Sequence, residues 1–295
     1  MKFNSFLDYL LLEKKYSPKT IVAYNNDLNN FYDFNLDKFE QKGIKKVNYS
    51  QIRSWIVSLV ADKISNSSIN RKISTLNSYY KFLLKTGDIK INPLNEHKAL
   101  KTKSKIQLPF SENEILNALN SKNFKNSFEG CRDYLVLELL YTTGIRRQEL
   151  IDLKIQNIDY SNSRIKVIGK RNKERYIPLI NSSLSSIKKY LEFRNKLKNI
   201  KSNDILILTS KGKKIYDNLV YRITKKYFSS FSTKLKKSPH ILRHSFATHL
   251  LNNGADLNSV KDLLGHTSLA ATQVYTNRSI EEIKKVFKKS HPRNK

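Results

Sequence analysis

Three stretches carry side chains that suit one reaction. Thr143-Gly144-Ile145-Arg146-Arg147-Gln148-Glu149-Leu150 supplies an arginine next to a helix stop. Gly169-Lys170-Arg171-Asn172-Lys173 supplies a lysine on a turn. HILRHSFATHLLNNGADLNSVKDLLGHTSLAATQVY runs from His240 to Tyr275 and holds His240 and Arg243 as H-x-x-R, then Gly265-His266, then Tyr275. These groups fit attack by a phenol oxygen on a phosphodiester. Tyrosine can form a covalent intermediate. Guanidinium forks give two parallel charge-assisted bonds to phosphate oxygens while phosphorus is five-coordinate. A free phenol has a pKa near ~10, so its proton must be taken or its anion stabilised. A neighbouring imidazole and two guanidinium charges do both. A lysine on a hairpin can protonate the leaving 5′-oxygen. The phosphotyrosyl bond conserves the energy of the broken linkage, so rejoining needs no nucleotide. No G-x-x-x-x-G-K-[ST] loop occurs in the chain.

His240 and Arg243 lie at i, i+3 on a helix and share a face. His244, at i+4 from His240, shares it in part, and periodicity leaves open which imidazole works. His240, His244 and His249 do not read as a metal site, because no carboxylate or cysteine completes the set and Arg243 stands among them. No metal and no cofactor is expected. In the hairpin, Lys170 shares its turn with Arg171 and Lys173, and any of the three reads equally as a plain DNA contact. Glu149 reads as a structural support for Arg146.

The 295 residues suffice for two domains. Lys+Arg 55 against Asp+Glu 25 leaves a formal charge of +30, which points to a polyanionic partner, nucleic acid first. An anionic membrane surface and a ribosomal or RNA-associated role are the rivals. No apolar run approaches the roughly 20 residues that span a bilayer, and the first residues lack a signal-peptide pattern. One cysteine, Cys131, fits a reducing cytoplasm and reads as a small packing residue. A cytoplasmic location is expected.

Helical spacing marks four helices in residues 1–90: one over 3–15, one entered at Ser17-Pro18, one opened by Ser50 and one from about Asn66 to Gly87. Trp55 reads as core. Exposed Arg53, Arg71, Lys72, Lys81 and Lys85 make either solvated faces or, as a group, a DNA-facing surface. Residues 91–108 read as a linker, framed by prolines and without periodicity. From 109 to 295 the pattern is mostly helical. A capping box at Ser111–Glu114 opens a helix. A strongly apolar helix at about 128–142 and a short one at Gln148–Leu153 flank Arg146. Strands 163–168 and 174–179 form a hairpin around Lys170. Helices follow at about 181–197 and 216–231, one from Pro239, and one at 257–264 capped by Asp256. The tail 278–295 begins as an amphipathic helix, with a stripe that suits docking on a neighbouring protomer, and ends in basic, frayed residues.

TGIRRQEL, GKRNKER, HILRHSFATHL, LLGH and the tyrosine beyond them resemble, in order and separation, the tyrosine recombinase (phage integrase) family, and within it the Xer-type bacterial members. The resemblance covers nearly the whole chain. It implies a mainly α protein of two domains, a helical amino-terminal core-binding domain (1–90) and a mostly α catalytic domain (109–295) with a small antiparallel sheet, the DNA breaking-rejoining enzyme fold. It implies Arg146 and Arg243 on the scissile phosphate, Lys170 as general acid, His240 as general base or orienter, His266 as hydrogen-bond donor to phosphate and Tyr275 as nucleophile. The implied activity is site-specific recombination of double-stranded DNA through a 3′-phosphotyrosine, resolving chromosome or plasmid dimers. Integration or excision of a mobile element, a type IB topoisomerase-like activity and a non-catalytic DNA-binding protein are the alternatives. The implied assembly is four protomers on paired sites, either four copies or copies with a second recombinase, and a DNA-translocase regulator is left open as a partner. Two departures stand out: Arg171 where relatives often have glycine, and Gln148 where serine is frequent.

Overall fold

The computed structural model describes residues 2–102, 107–169, 174–265, 287 and 289–294. The chain divides into two compact units, Met1–Lys105 and Ile106–Lys295. The fold is mainly α with one small antiparallel sheet.

The first unit is built from α1 (Asn4–Asp8), which continues as a wider π-type turn over Tyr9–Glu13, α2 (Pro18–Phe39), α3 (Tyr49–Ala61) and α4 (Asn66–Lys85). The helix expected over 3–15 is thus two local geometries. Ser17 caps α2 through its side chain, with Pro18 at the first helical position. The third helix starts earlier than Ser50. Asn48 is its cap and forms a reciprocal box with Gln51, because Asn accepts the orphan N–H groups as well as Ser does. Apolar stripes of the four helices meet in one core, with the Phe31 and Trp55 rings 4.8 Å apart. Asp27, buried on α2, accepts from Arg71, Lys72 and Thr75 of α4, so two of the cations expected on the surface are partnered. Residues that follow α4 also fold onto it: Leu94 is buried, and Asn70 exchanges hydrogen bonds of 2.9 Å with the Leu100 backbone.

In the second unit, α5 (Glu112–Ala118) opens with the Ser111/Glu114 capping box. The central element is α6 (Phe128–Thr143), which is buried on nearly every side. α7 (Arg147–Ile151) is shorter than expected, and Arg146 stands at its cap position. The sheet runs β1 (Ile158–Asp159), β2 (Arg164–Ile168), β3 (Glu174–Pro178), with Ile165 opposite Ile177 and Val167 opposite Arg175. β1 is too short to show a period of two and was not expected. α8 (Asn181–Asn195) packs on α6. α9 (Asp217–Ser229), α10 (Pro239–Asn252) and α11 (Leu257–Leu264, capped by Asp256) complete the unit.

The carboxy-terminal end departs from the frayed tail expected of it. Phe287 and His291 are fully buried against Tyr141 and Phe246. Arg293 pairs with Glu138 of α6 and donates to the Tyr134 hydroxyl at 3.1 Å. Composition alone suggested disorder, but a buried carboxylate on α6 requires a cation, and the tail supplies it. These residues pack on their own chain, and the stripe over 280–286 that was expected to dock on a neighbouring protomer lies outside the described residues.

Candidate active site

α6 ends because Gly144 adopts a left-handed backbone (φ +58°). A side chain there would place its Cβ 2.4 Å from the Phe246 ring. Gly144→Ala should therefore destabilise the second unit by about 2–4 kcal/mol, the sum of left-handed strain and overpacking. Thermal melts would read it, and an unchanged Tm would refute the close approach. The tight turn lets Ile145 bury and brings Arg146 out at a defined point.

Arg146 donates from Nη1 to Glu149 Oε1 at 2.7 Å and from Nη2 to the Gly265 carbonyl at 2.6 Å. Its backbone N–H donates to Glu149 Oε2 at 2.9 Å. Glu149 is thus the expected support of Arg146. Arg243, on α10, donates from Nη2 to the Leu264 carbonyl at 2.6 Å and from Nη1 to the Gly144 carbonyl. The two guanidiniums therefore meet carbonyls of consecutive residues at the end of α11. Burial, then neighbouring Arg146 and Arg175, push the Arg243 pKa down to about 10. It remains charged at neutral pH, but in a setting that an anion would relieve.

Arg175 on β3 was not assigned a role from sequence. It is buried and bonds Glu149 with both terminal nitrogens, 2.8 Å each, and its Nε donates to the Leu263 carbonyl at 3.2 Å. Burial alone would raise the Glu149 pKa, but Arg175 and Arg146 outweigh it and hold the carboxyl below its usual range. The available signal was parity: Arg175 shares the inward face of its strand with Ile177, where a charge demands a partner. Three guanidiniums against one carboxylate leave two positive charges in surplus.

His240 lies on α10 near Arg147 and Arg243. Partial burial, then those two charges, lower its pKa, so the imidazole is neutral at neutral pH and has a lone pair to accept a proton. His244 is exposed on the same helix. His249 is part of the core: Nδ1 accepts from the Tyr141 hydroxyl at 3.0 Å and Nε2 donates to the Phe110 carbonyl at 2.8 Å. Gln148 is exposed and donates to Asp152 at 2.8 Å. Among the described residues no group of three His, Cys, Asp or Glu side chains could hold a metal ion. Cys131 is buried. The assignments to Lys170, His266 and Tyr275, and the alternatives at Arg171 and Lys173, lie outside the described residues.

In a mainly helical chain of two units, two guanidiniums converge on the carbonyls that end α11, and sequence comparison supplies the class of protein. Residues 108–282 match the phage integrase family and residues 3–87 match the phage integrase N-terminal SAM-like domain. The chain belongs to the phage integrase family and is a tyrosine recombinase of the Xer type. It is 40% identical to "Tyrosine recombinase XerC" of Oceanobacillus iheyensis, over 98% of this chain and 95% of that protein. It is 36% identical to the protein of the same name from Chlorobaculum parvum, over 97% of this chain and 93% of that one. The fold is shared with a XerH site-specific recombinase solved on a palindromic difH substrate in a post-cleavage complex, at TM-score 0.70, 21% identity and coverage of 97% and 94%. No described helix is long and apolar enough to cross a membrane.

Proposed function

We propose that this chain cuts and rejoins double-stranded DNA at a specific site through a transient 3′-phosphotyrosine, and that it resolves chromosome or plasmid dimers in the cytoplasm. The observation that carries the reading is the pair of Arg146 and Arg243 on neighbouring carbonyls, within a cluster of two surplus positive charges. Those carbonyl oxygens accept the same N–H groups that the non-bridging oxygens of a scissile phosphate would accept. In the proposed reaction the Tyr275 oxygen attacks phosphorus while His240 takes or orients its proton. Lys170 protonates the departing 5′-oxygen, and His266 donates to the phosphate. The freed 5′-hydroxyl of another strand then attacks the phosphotyrosine and gives its proton back to Lys170, while the departing Tyr275 oxygen recovers its own from the His240 side, so bonds and protons balance with no added energy source. Residues 1–90 form the core-binding domain, residues 109–295 the catalytic domain, and 91–108 joins them. Four protomers act on two sites, alone or with a second recombinase, and a DNA translocase is the candidate regulator.

The test is a nicked suicide substrate. Candidate sites are captured from the source genome, a nick is placed near the cleavage point, and the protein is mixed with each. A covalent protein–DNA band that depends on the site sequence is the expected result. Relaxation of supercoiled DNA without any particular site would replace recombination by a topoisomerase-like activity. Tight, site-specific binding with no band on any nick position would leave a DNA-binding protein and overturn the proposal.

A further inference from the structure

Glu149 poses an electrostatic conflict at this site. It supports Arg146, yet a carboxylate alone with a guanidinium forms a neutral two-pronged pair, and a neutralised Arg146 would hold phosphate poorly. The structure sets a second guanidinium on the same carboxylate. Arg175 takes both Glu149 oxygens at 2.8 Å, which leaves Arg146 one side-chain bond to Glu149 at 2.7 Å and frees its Nη2 for the Gly265 carbonyl at 2.6 Å. Arg175 also holds Leu263 through Nε. A Cβ on Gly265 would lie 3.1 Å from the Arg175 Cδ. One buried side chain of β3 therefore touches the support of Arg146 and the end of α11 that both Arg146 and Arg243 contact.

We propose that Arg175 is a positioning residue that occupies the Glu149 carboxylate, leaves the Arg146 charge available to the scissile phosphate, and anchors the end of α11 to the sheet. The inference rests on the function proposed above. The carboxylate serves two guanidiniums, so neither cancels it alone. Removal of Arg175 lets Arg146 close on Glu149 with both terminal nitrogens, and the anion site loses about half of its surplus charge.

The experiment uses the full chain and the nicked site DNA that traps the wild-type adduct. Arg175→Met is expected to slow single-turnover cleavage at saturating DNA about 100-fold, the scale of a small misplacement in an active site, with little change in Kd. Arg175→Lys should lose less, since the charge stays and only the fork is gone. The decisive variant adds Glu149→Gln to Arg175→Met. The amide still accepts the Arg146 backbone N–H but no longer neutralises its guanidinium, so cleavage should recover by about tenfold, equivalent to one 1.4 kcal/mol step. A merely structural role would lower Tm and make the double variant no faster than the single one. Wild-type cleavage by Arg175→Met, or no recovery in the double variant, would overturn the proposal. If Arg175→Met does not fold, Arg175→Lys with and without Glu149→Gln gives the same comparison. If wild type forms no adduct, the functional reading fails on its own, and amide hydrogen exchange decides the inference. Residues 257–265 should exchange faster in the Arg175 variant than in wild type, and equal rates would sink it.

Discussion

Tyr275→Phe is expected to abolish the covalent protein–DNA band while leaving site-DNA binding close to wild type. The substitution removes one oxygen and little else. With the proposed nucleophilic oxygen gone, the loss in cleavage should be on the order of 10⁴-fold or more, as for other removed nucleophiles. Arg243→Ala gives a graded comparison. It deletes a guanidinium that would bond the non-bridging oxygens, so cleavage should fall on the order of 10²- to 10³-fold, the scale of a lost oxyanion donor. It should also loosen the end of α11, because Arg243 holds the Leu264 and Gly144 carbonyls. A lysine in its place keeps charge but lacks the planar two-nitrogen fork, so most of the loss should remain. The readout is band intensity against time on the trapped substrate. A full band from Tyr275→Phe would move the nucleophile elsewhere. A wild-type rate from Arg243→Ala would detach the arginine pair from the chemistry.

Arg293→Ala should have the largest effect on stability. Glu138 is fully buried in the middle of α6 and, besides Ser182 and Ser183, has Arg293 as its partner. Burial raises the Glu138 pKa, and Arg293 works against that. Removing one member of a buried pair leaves an uncompensated charge and costs about 3–5 kcal/mol, which lowers the Tm of a unit this size by roughly 10 °C. Glu138→Gln added to Arg293→Ala should restore much of it, since the charge left behind is gone. A change in Tm under about 1 °C would mean that the tail is not anchored there.

The same anchor is expected to weaken in acid. His291 is buried among Tyr141, His249 and Phe246 beside Arg293, and burial, then the Arg293 charge, push its pKa down to about 3. A histidine with a depressed folded pKa is neutral when folded and protonated when unfolded between that value and about 6.5. The unfolded state then binds more protons, so stability falls as pH drops through that window, by up to about 1.4 kcal/mol per unit. Melts of wild type and His291→Phe between pH 7 and 4 would check it: the variant should show the shallower slope. Phe287–Arg293 and the Gly265 carbonyl bracket, in sequence, the span that carries His266 and Tyr275. Release of the tail should therefore also slow adduct formation.

Much of this protein is determined by the sequence alone. Ser17-Pro18, Ser111–Glu114 and Asp256 are local hydrogen-bonding devices that act within a turn, so their helices start where their letters stand. The same locality placed His240 and Arg243 on one helix face and put Arg146 just past a glycine stop. Asn48 and β1 escaped because competing caps and two-residue strands carry little periodic signal. Only the tertiary structure decided which charges are partnered and which stay in surplus. Arg71 and Lys72 looked like free surface cations, yet both bind Asp27 across two helices. His249 stood beside two candidate imidazoles, yet it closes a core hydrogen bond to Phe110. Arg175 and Arg293 were two more basic letters in a strongly basic chain, yet each pairs with a buried carboxylate far away in sequence. A helix cap is set by neighbours within four residues, whereas a buried ion pair is set by whichever distant group the packed core brings within 3 Å of it.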